Sequence, residues 1–306
     1  MRIFENTKFR FIQNRKVGYL ISGTLLLLSI GSLFLRGLEL GIDFKGGMEF
    51  VVESSENLGV AEVREQLTIA LGDEPDEVKT FGQNALLIRT ASQGDINEVR
   101  ALVLGQFQSG FPNVSHTVVK SDIVGPRFAE DLRRGAFQAV FYSLLVIFIY
   151  LWVRFEWRFS LGAVAALTHD VLITLGLFSM LHHLVPFSLQ IDQAIIAAFL
   201  TIVGYSLNDT VVVFDRVREY SNLFKTEPYE EVVNKSINNT LSRTVVTSGT
   251  TLLVVVTLFI FGSEILRGFA FALAVGVIVG TYSSIFVASP VLVELRLRAA
   301  RAKARK

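Results

Sequence analysis

Cysteine is absent from the 306-residue sequence, and histidine is rare. Without cysteine the chain has no disulfide, no thiol catalysis and no cysteine metal site. Only one pair of the four histidines stands close together, in a predicted short loop, so we expect no zinc site; the histidines are His116, His169, His182 and His183.

The sequence also lacks a nucleotide-binding motif. The glycine-rich segment GIDFKGG at 41–47 matches neither the P-loop nor the dinucleotide fingerprint, and it precedes a predicted strand instead of opening a helix. We interpret its glycines as residues of a tight turn into that strand. No Ser/His/Asp or Cys/His set is suggested either. The sequence therefore predicts a protein that is not an enzyme and uses no cofactor.

Long apolar runs dominate what is present. Hydrophobic residues make up 51% of the chain and the mean hydropathy is +0.48, whereas soluble domains average about 45–50% apolar even with glycine counted. The first run is too long for a typical signal-peptide core and no small-x-small cleavage site follows it. Each run approaches or exceeds the ~20 residues that span a bilayer. We predict six transmembrane helices, at 18–35, 135–153, 160–181, 191–214, 245–263 and 267–293.

Between the first two runs the composition becomes that of a soluble domain. Alternating apolar residues predict strands at 48–53, 76–82, 85–90 and 115–125, and helical periodicity predicts helices at 59–71 and 95–108. This βαββαβ order is that of the ferredoxin-like arrangement. We therefore expect an inserted α+β domain.

The distribution of lysine and arginine predicts the orientation. These residues crowd the N-terminus, the 154–159 loop, the 215–244 loop and the C-terminal tail, while the 182–190 loop has none. The positive-inside rule then places both termini in the cytoplasm.

The net charge of +1 gives no reason to expect nucleic acid binding. The predicted divisions are 1–37 (N-terminus and first span), 38–131 (extracytoplasmic domain), 132–294 (spans two to six) and 295–306 (basic cytoplasmic tail, a topology and lipid anchor).

Two residues predict chemistry inside the membrane. Asp209 lies in the fourth apolar run, where a carboxylate costs about 2.5–3.5 kcal/mol on insertion. Arg243 stands at the head of the fifth run as the natural counter-charge, and Thr247 continues its helical face. One interpretation is a static buried ion pair. The other is an acid that alternates between ionised and protonated states in a proton-driven cycle.

Three further features leave alternatives open. His169 and Asp170 fall near mid-membrane, as either a second proton relay or a hydrogen bond between helices. Asp215 lies at the membrane edge beside basic residues and predicts an interfacial charge cluster. The last run carries small residues at four-residue spacing, which pack either inside the chain or against a second subunit; they include Gly276, Gly280 and Ser284.

At GIDFKGG, GYSLNDTVVVFDRVRE, LSRTVVTSGTTLL and GTYSSIFVASP the sequence resembles the SecF family of bacterial protein-export membrane subunits, of the SecD/SecF group and the RND-type exporters. The four motifs occur in the family's order and without departures. The resemblance implies an α-helical membrane protein, a six-helix RND-type half-bundle with an inserted ferredoxin-like domain. It marks as family motif positions Gly41, Asp43, Gly46, Gly47, Gly204, Asn208 and Asp215.

The resemblance also implies a function. Members pair with SecD, join the SecYEG translocon, often with YajC, and use the proton gradient to pull preproteins across the inner membrane, with Asp209 and Arg243 in the proton path. A second hypothesis is a proton-coupled RND-type exporter of small molecules or lipids. A third is a passive scaffold whose buried charges only hold helices together.

Overall fold

The computed structural model of the chain describes residues 7–91, 94–182, 184–185 and 187–304. The histidine pair considered for zinc lies partly outside this range, because His183 is not described. The elements, in order, are α1 (Arg15–Leu35), α2 (Ile42–Lys45), β1 (Gly47–Ser54), α3 (Val60–Leu71), β2 (Glu77–Phe81), β3 (Ala85–Thr90), α4 (Ile96–Gly110), β4 (His116–Val124), α5 (Pro126–Arg154), α6 (Trp157–Leu181), α7 (Gln193–Leu223), α8 (Tyr229–Phe261), α9 (Glu264–Ser283), a π-helical turn (Ser284–Ala288) and α10 (Ser289–Ala304).

Six helices in the described part of the chain are long and apolar enough to cross a membrane. They are α1, α5, α6, α7, α8 and the continuous helix from Leu266 to Ala302 that α9, the π turn and α10 form together. The predicted number and positions of the spans are confirmed, and the chain is a multi-pass membrane protein.

The helices extend further than the apolar runs. The predicted 215–244 loop is mostly helical, since α7 continues to Leu223 and α8 begins at Tyr229. The helix-breaking Pro228 lies in the short connection, and the ion pair between Arg216 and Glu219 stabilises one helical extension. Similarly α5 begins at Pro126, before the predicted domain boundary at 131, and α10 continues into the predicted tail as far as Ala304.

The inserted domain has the predicted ferredoxin-like order. Its four strands form an antiparallel sheet in the order β2-β3-β1-β4, with β1 and β3 in the centre. Helices α3 and α4 pack against one face, and the shared core includes Phe50, Leu67, Ile88, Val103 and Phe107. Turn residues 82–84 connect β2 to β3 as the sequence predicts.

The segment 41–47 differs from the predicted simple turn. It contains the one-turn helix α2 before Gly46 and Gly47, both of which have positive φ (78° and 113°). A side chain at Gly47 would lie 2.7 Å from the Thr90 carbonyl oxygen, so glycine is required there for both conformation and space. The glycines thus bring the chain directly into the central strand β1.

The small residues of the last span pack inside the chain. A side chain at Gly276 would overlap with Ile202, and one at Gly280 would lie 2.9 Å from Ser206 Cβ, so α9 approaches α7 closely at both positions. Ser284 is also fully buried. For these positions the structure favours internal packing over contact with a second subunit.

Candidate functional site in the membrane region

The most buried acidic group of the membrane region is Asp170 on α6, whose exposure is 1%. One carboxylate oxygen lies 2.9 Å from His169 Nδ1, and the other accepts hydrogen bonds from Ser206 on α7 at 2.6 Å and from Ser283 on α9 at 2.7 Å. His169 Nε2 lies 3.0 Å from Ser22 Oγ on α1. This set, which we call the Asp170 cluster, connects four spans by side-chain hydrogen bonds.

The same cluster continues through Tyr282 of α9. Tyr282 Oη donates to the Gly18 carbonyl and accepts from Ser22 Oγ. His169, Ser22 and Tyr282 therefore extend the polar contacts of Asp170 from α6 to α1 and α9.

Asp209 on α7 has a different environment. It is buried, with 3% exposure, but among the described residues it accepts one side-chain hydrogen bond, from Ser248 Oγ on α8 at 3.2 Å. Thr281 Oγ1 of α9 in turn donates to that serine at 2.7 Å. We call Asp209, Ser248 and Thr281 the Asp209 cluster; it has fewer side-chain hydrogen bonds than the Asp170 cluster. On the same two helices, the buried hydroxyls of Thr210 and Thr244 have no hydrogen-bond partner in the described chain.

Among the described residues Asp209 and Arg243 form no direct ion pair, and Arg243 is exposed. The arginine still lies close enough to interact electrostatically with the carboxylate of Asp209. The reason for the missing direct pair is the rotation of α8. Thr244 and Ser248 occupy its inward stripe, and Arg243 is displaced by about 100° from the first and about 140° from the second around the helix axis. Thr247 follows Arg243 on the same stripe, and its hydroxyl bonds only to the Arg243 carbonyl.

A polar face of the two helices is left uncovered by this chain. On α8 it carries Arg243 and Thr250, and on α7 Gly204 and Asn208, all of them exposed. Tyr205, at its centre, donates to Thr251 across the two helices. Exposed polar side chains in an apolar span are costly in lipid, so this face, which we call the α7–α8 face, requires a polar cover.

Sequence reasoning missed most hydrogen-bond partners of the two acids. Ser248, Ser283 and Thr281 were not singled out. The π turn that follows Ser283 was also not expected. Its cause is Pro290, which has no N–H to donate and displaces the carbonyl one turn earlier, so the helix widens there.

The remaining predicted residues lie elsewhere. Asp215 is exposed and pairs with Arg154 at 3.4 Å, and its place at the membrane edge stays a prediction. Asp43 accepts a hydrogen bond from the Gln193 amide at the first residue of α7. Neither residue belongs to either acidic cluster of the membrane region.

Together the fold and site define a multi-pass α-helical membrane protein that carries an inserted α+β domain and two buried acidic clusters within its spans. A family model described as "Protein export membrane protein SecD/SecF, C-terminal" matches residues 106–298, and one described as "SecD/SecF GG Motif" matches residues 31–57. The protein translocase subunit SecF of Rhodothermus marinus is 67% identical over 98% of this chain and 97% of its own length. The chain belongs to the SecF family of protein translocase subunits.

Solved structures agree with this assignment. The crystal structure of SecDF from Thermus thermophilus, described as a translocon-associated membrane protein, superposes with a TM-score of 0.85 at 38% identity. A crystal structure of SecDF in a super-membrane-facing form gives a TM-score of 0.71 at 36% identity. They match 97% and 98% of this chain, which spans 40% of the length of each SecDF chain.

Proposed function

We propose that this protein is a subunit of the bacterial Sec export machinery that works with SecD and uses the proton motive force to drive late preprotein translocation. Family membership supports the export role. The observation that carries the proton-driven part is Asp209, a buried acid with one long hydrogen bond beside an uncovered polar face. Such a group can change protonation without breaking a complete internal network.

The α7–α8 face is the proposed contact with SecD. The SecDF chains that this protein resembles are longer than it is, and so the remainder of such a chain is available to cover Arg243, Asn208 and Thr247. An acidic group of SecD near Arg243 would supply the counter-charge that this chain does not. The proposed proton path then consists of Asp209, Arg243 and Thr247 at the interface with SecD. Asp170, whose contacts all lie within this chain, is the further proposed residue of the path.

The proposed topology follows the distribution of basic residues. Both termini lie in the cytoplasm and the domain at 38–131 lies outside the inner membrane. SecYEG, YajC and the translocating preprotein are the proposed further partners, and membrane lipids contact the basic tail. No covalent reaction or cofactor is proposed, since one charge moved through the membrane field provides about 2.3 kcal/mol per 100 mV.

Two SecDF structures with similar identity to this chain differ in TM-score, 0.85 against 0.71. The description of the second as a super-membrane-facing form supports more than one arrangement of such a protein. Changes in the protonation of Asp209 would favour one arrangement over another and so couple proton passage to movement of the outer domain.

The test is Asp209→Asn in the reconstituted complex with SecD and the translocon. We expect export to fall to the level measured without a gradient, while insertion and assembly stay normal. Asp215→Asn is the matched control, because it neutralises an exposed aspartate six residues further along the same helix. Gradient-dependent export that persists in Asp209→Asn would remove this residue from the mechanism.

Arg243 provides a second arm of the same test. Arg243→Met should also abolish the response to the gradient. If Arg243→Lys is equally inactive, the planar guanidinium rather than its charge is needed at the interface.

A further inference from the structure

The outer end of α7 is held by the segment that connects the first span to the inserted domain. Asp192, the N-cap residue of α7, accepts from the Ile195 amide at 2.8 Å. Asp43 of α2 accepts from the Gln193 amide at 2.9 Å. Two carboxylates from distant parts of the sequence thus satisfy two of the free amides at one helix end.

Backbone contacts strengthen the same junction. The Gly41 amide donates to the Ile191 carbonyl, and the Ile191 amide donates to the Glu39 carbonyl, each at 2.8 Å. A side chain at Gly41 would lie 3.3 Å from Asp192 Cβ and from the Ile191 carbonyl oxygen. The segment 39–41 therefore runs against the residues that lead into α7, at a distance that only glycine allows without displacement.

An apolar anchor lies beside these hydrogen bonds. Phe44 is buried and belongs to the core cluster that includes Ile195 and Phe199 of α7. On the domain side, Glu77 of β2 accepts a hydrogen bond from Gln190. The junction thus combines a side-chain cap, paired backbone and a packed ring within a few residues.

The segment is continuous with the rigid part of the inserted domain. Gly46 and Gly47 follow α2 directly, and β1, which begins at Gly47, is a central strand with partners on both sides. On the other side, α7 carries Asp209, sixteen residues or about 24 Å beyond Gln193. Only the short segment 41–47 lies between β1 and the end of α7, so a movement of one element is passed directly to the other.

We propose that segment 41–47 is the mechanical connection between the inserted domain and α7, and that Asp43 is its positioning residue, through its hydrogen bond to the Gln193 amide. This inference rests on the proposed function, in which the protonation of Asp209 moves the domain. The proposal gives the GIDFKGG segment a role in transmitting movement, whereas its glycines account only for the turn into β1. Asp43 touches no proton carrier and acts only by holding the end of α7.

The test is a double-mutant cycle in the purified complex with SecD in lipid nanodiscs. Asp209→Asn imitates the protonated acid, and hydrogen exchange of β1 amides reports on the inserted domain. We expect Asp209→Asn to change β1 exchange in the wild-type background and to have no effect in the Asp43→Ala background. Exchange at the Gln193 amide should rise by about tenfold in Asp43→Ala, because its acceptor is lost.

Asp192→Ala is the matched control. It removes a carboxylate from the same helix end but leaves the bond between Asp43 and Gln193, so the response of β1 to Asp209→Asn should persist. Asp43→Asn separates charge from hydrogen bonding, because the amide oxygen still accepts from Gln193; it should retain both the response and slow exchange at Gln193.

The outcomes separate the two proposals. An equal response of β1 in the wild-type and Asp43→Ala backgrounds overturns the connection while leaving the export role intact. Loss of the response in Asp192→Ala as well overturns the assignment to Asp43. If Asp209→Asn leaves β1 unchanged in the wild type, the connection is also overturned, whereas the export role is judged separately by gradient-dependent translocation.

Discussion

The two buried acids of the membrane region differ in how completely the chain satisfies them. Asp170 has three side-chain partners from three spans. Asp209 has one hydrogen bond, at 3.2 Å, and lies next to a face that the chain leaves open. A closed polar network stabilises one arrangement of helices, whereas an open one can exchange partners. We infer that Asp170 holds the bundle together and that Asp209 carries the proton.

Replacing each of the two acids by asparagine tests this comparison, and the largest effect that we expect is the loss of stability in Asp170→Asn. Asp170→Asn should lower the free energy of unfolding by about 3–5 kcal/mol, because it breaks the buried contact with His169 and places an amide opposite partners that matched a carboxylate. Asp209→Asn, which alters one long hydrogen bond, should cost about 1 kcal/mol. Thermal unfolding of the purified chain in detergent provides the measurement. The opposite order of the two variants would reverse the roles assigned here.

Glycine-to-alanine changes test the same contrast between a packed helix contact and the uncovered α7–α8 face. Gly276→Ala places a methyl group against Ile202 and should cost about 1–3 kcal/mol in the isolated chain. Gly204→Ala meets no atom within 4 Å and should leave the stability of the isolated chain unchanged.

Co-purification with SecD completes the glycine test. Since Gly204 lies on the α7–α8 face, its variant should weaken the association with SecD although the chain itself folds normally. Undiminished association in Gly204→Ala would indicate that SecD covers a different surface.

Much of this architecture could be predicted from the sequence. Apolar runs located the spans, because the bilayer imposes a minimum length on a helix, and residue alternation located the four strands. The extension of α7 and α8 beyond the apolar runs was missed, because hydropathy reports on the membrane and not on the helix. The burial of Asp209 was also predicted correctly.

The partners of the acids could not be predicted in the same way. Arg243 was chosen because opposite charges attract, but which residues of α8 face α7 depends on helix rotation, which the packing of the other spans decides. Ser248, five residues further along, occupies the inward face instead. Likewise, the hydrogen bond from Ser283 of α9 to Asp170 depends on how the last span packs against α6.

Asp192, the carboxylate at the outer end of α7, gives the smallest expected effect on stability, and that effect depends on pH. Asp192 lies just outside the membrane-spanning part of α7. Burial raises its pKa, the neighbouring Asp43 and Glu49 add to the increase, and the Ile195 amide and Arg89 oppose it. Since the pKa is higher in the folded protein, the contribution of Asp192 to stability is complete below its unfolded pKa and is lost as the pH rises through the folded value.

Asp192→Asn should therefore remove a decrease in stability that the wild-type chain shows as the pH rises from the acidic range towards neutrality. The difference in unfolding free energy between the two proteins, measured by thermal unfolding at a series of pH values, isolates this group from all others that titrate. Asp43→Asn removes one of the carboxylates that raise the pKa, so it should make the same slope shallower without abolishing it. If the wild-type chain instead gains stability relative to Asp192→Asn as the pH rises, Asp192 is held in its ionised form, and the outer end of α7 is favoured by negative charge rather than strained by it.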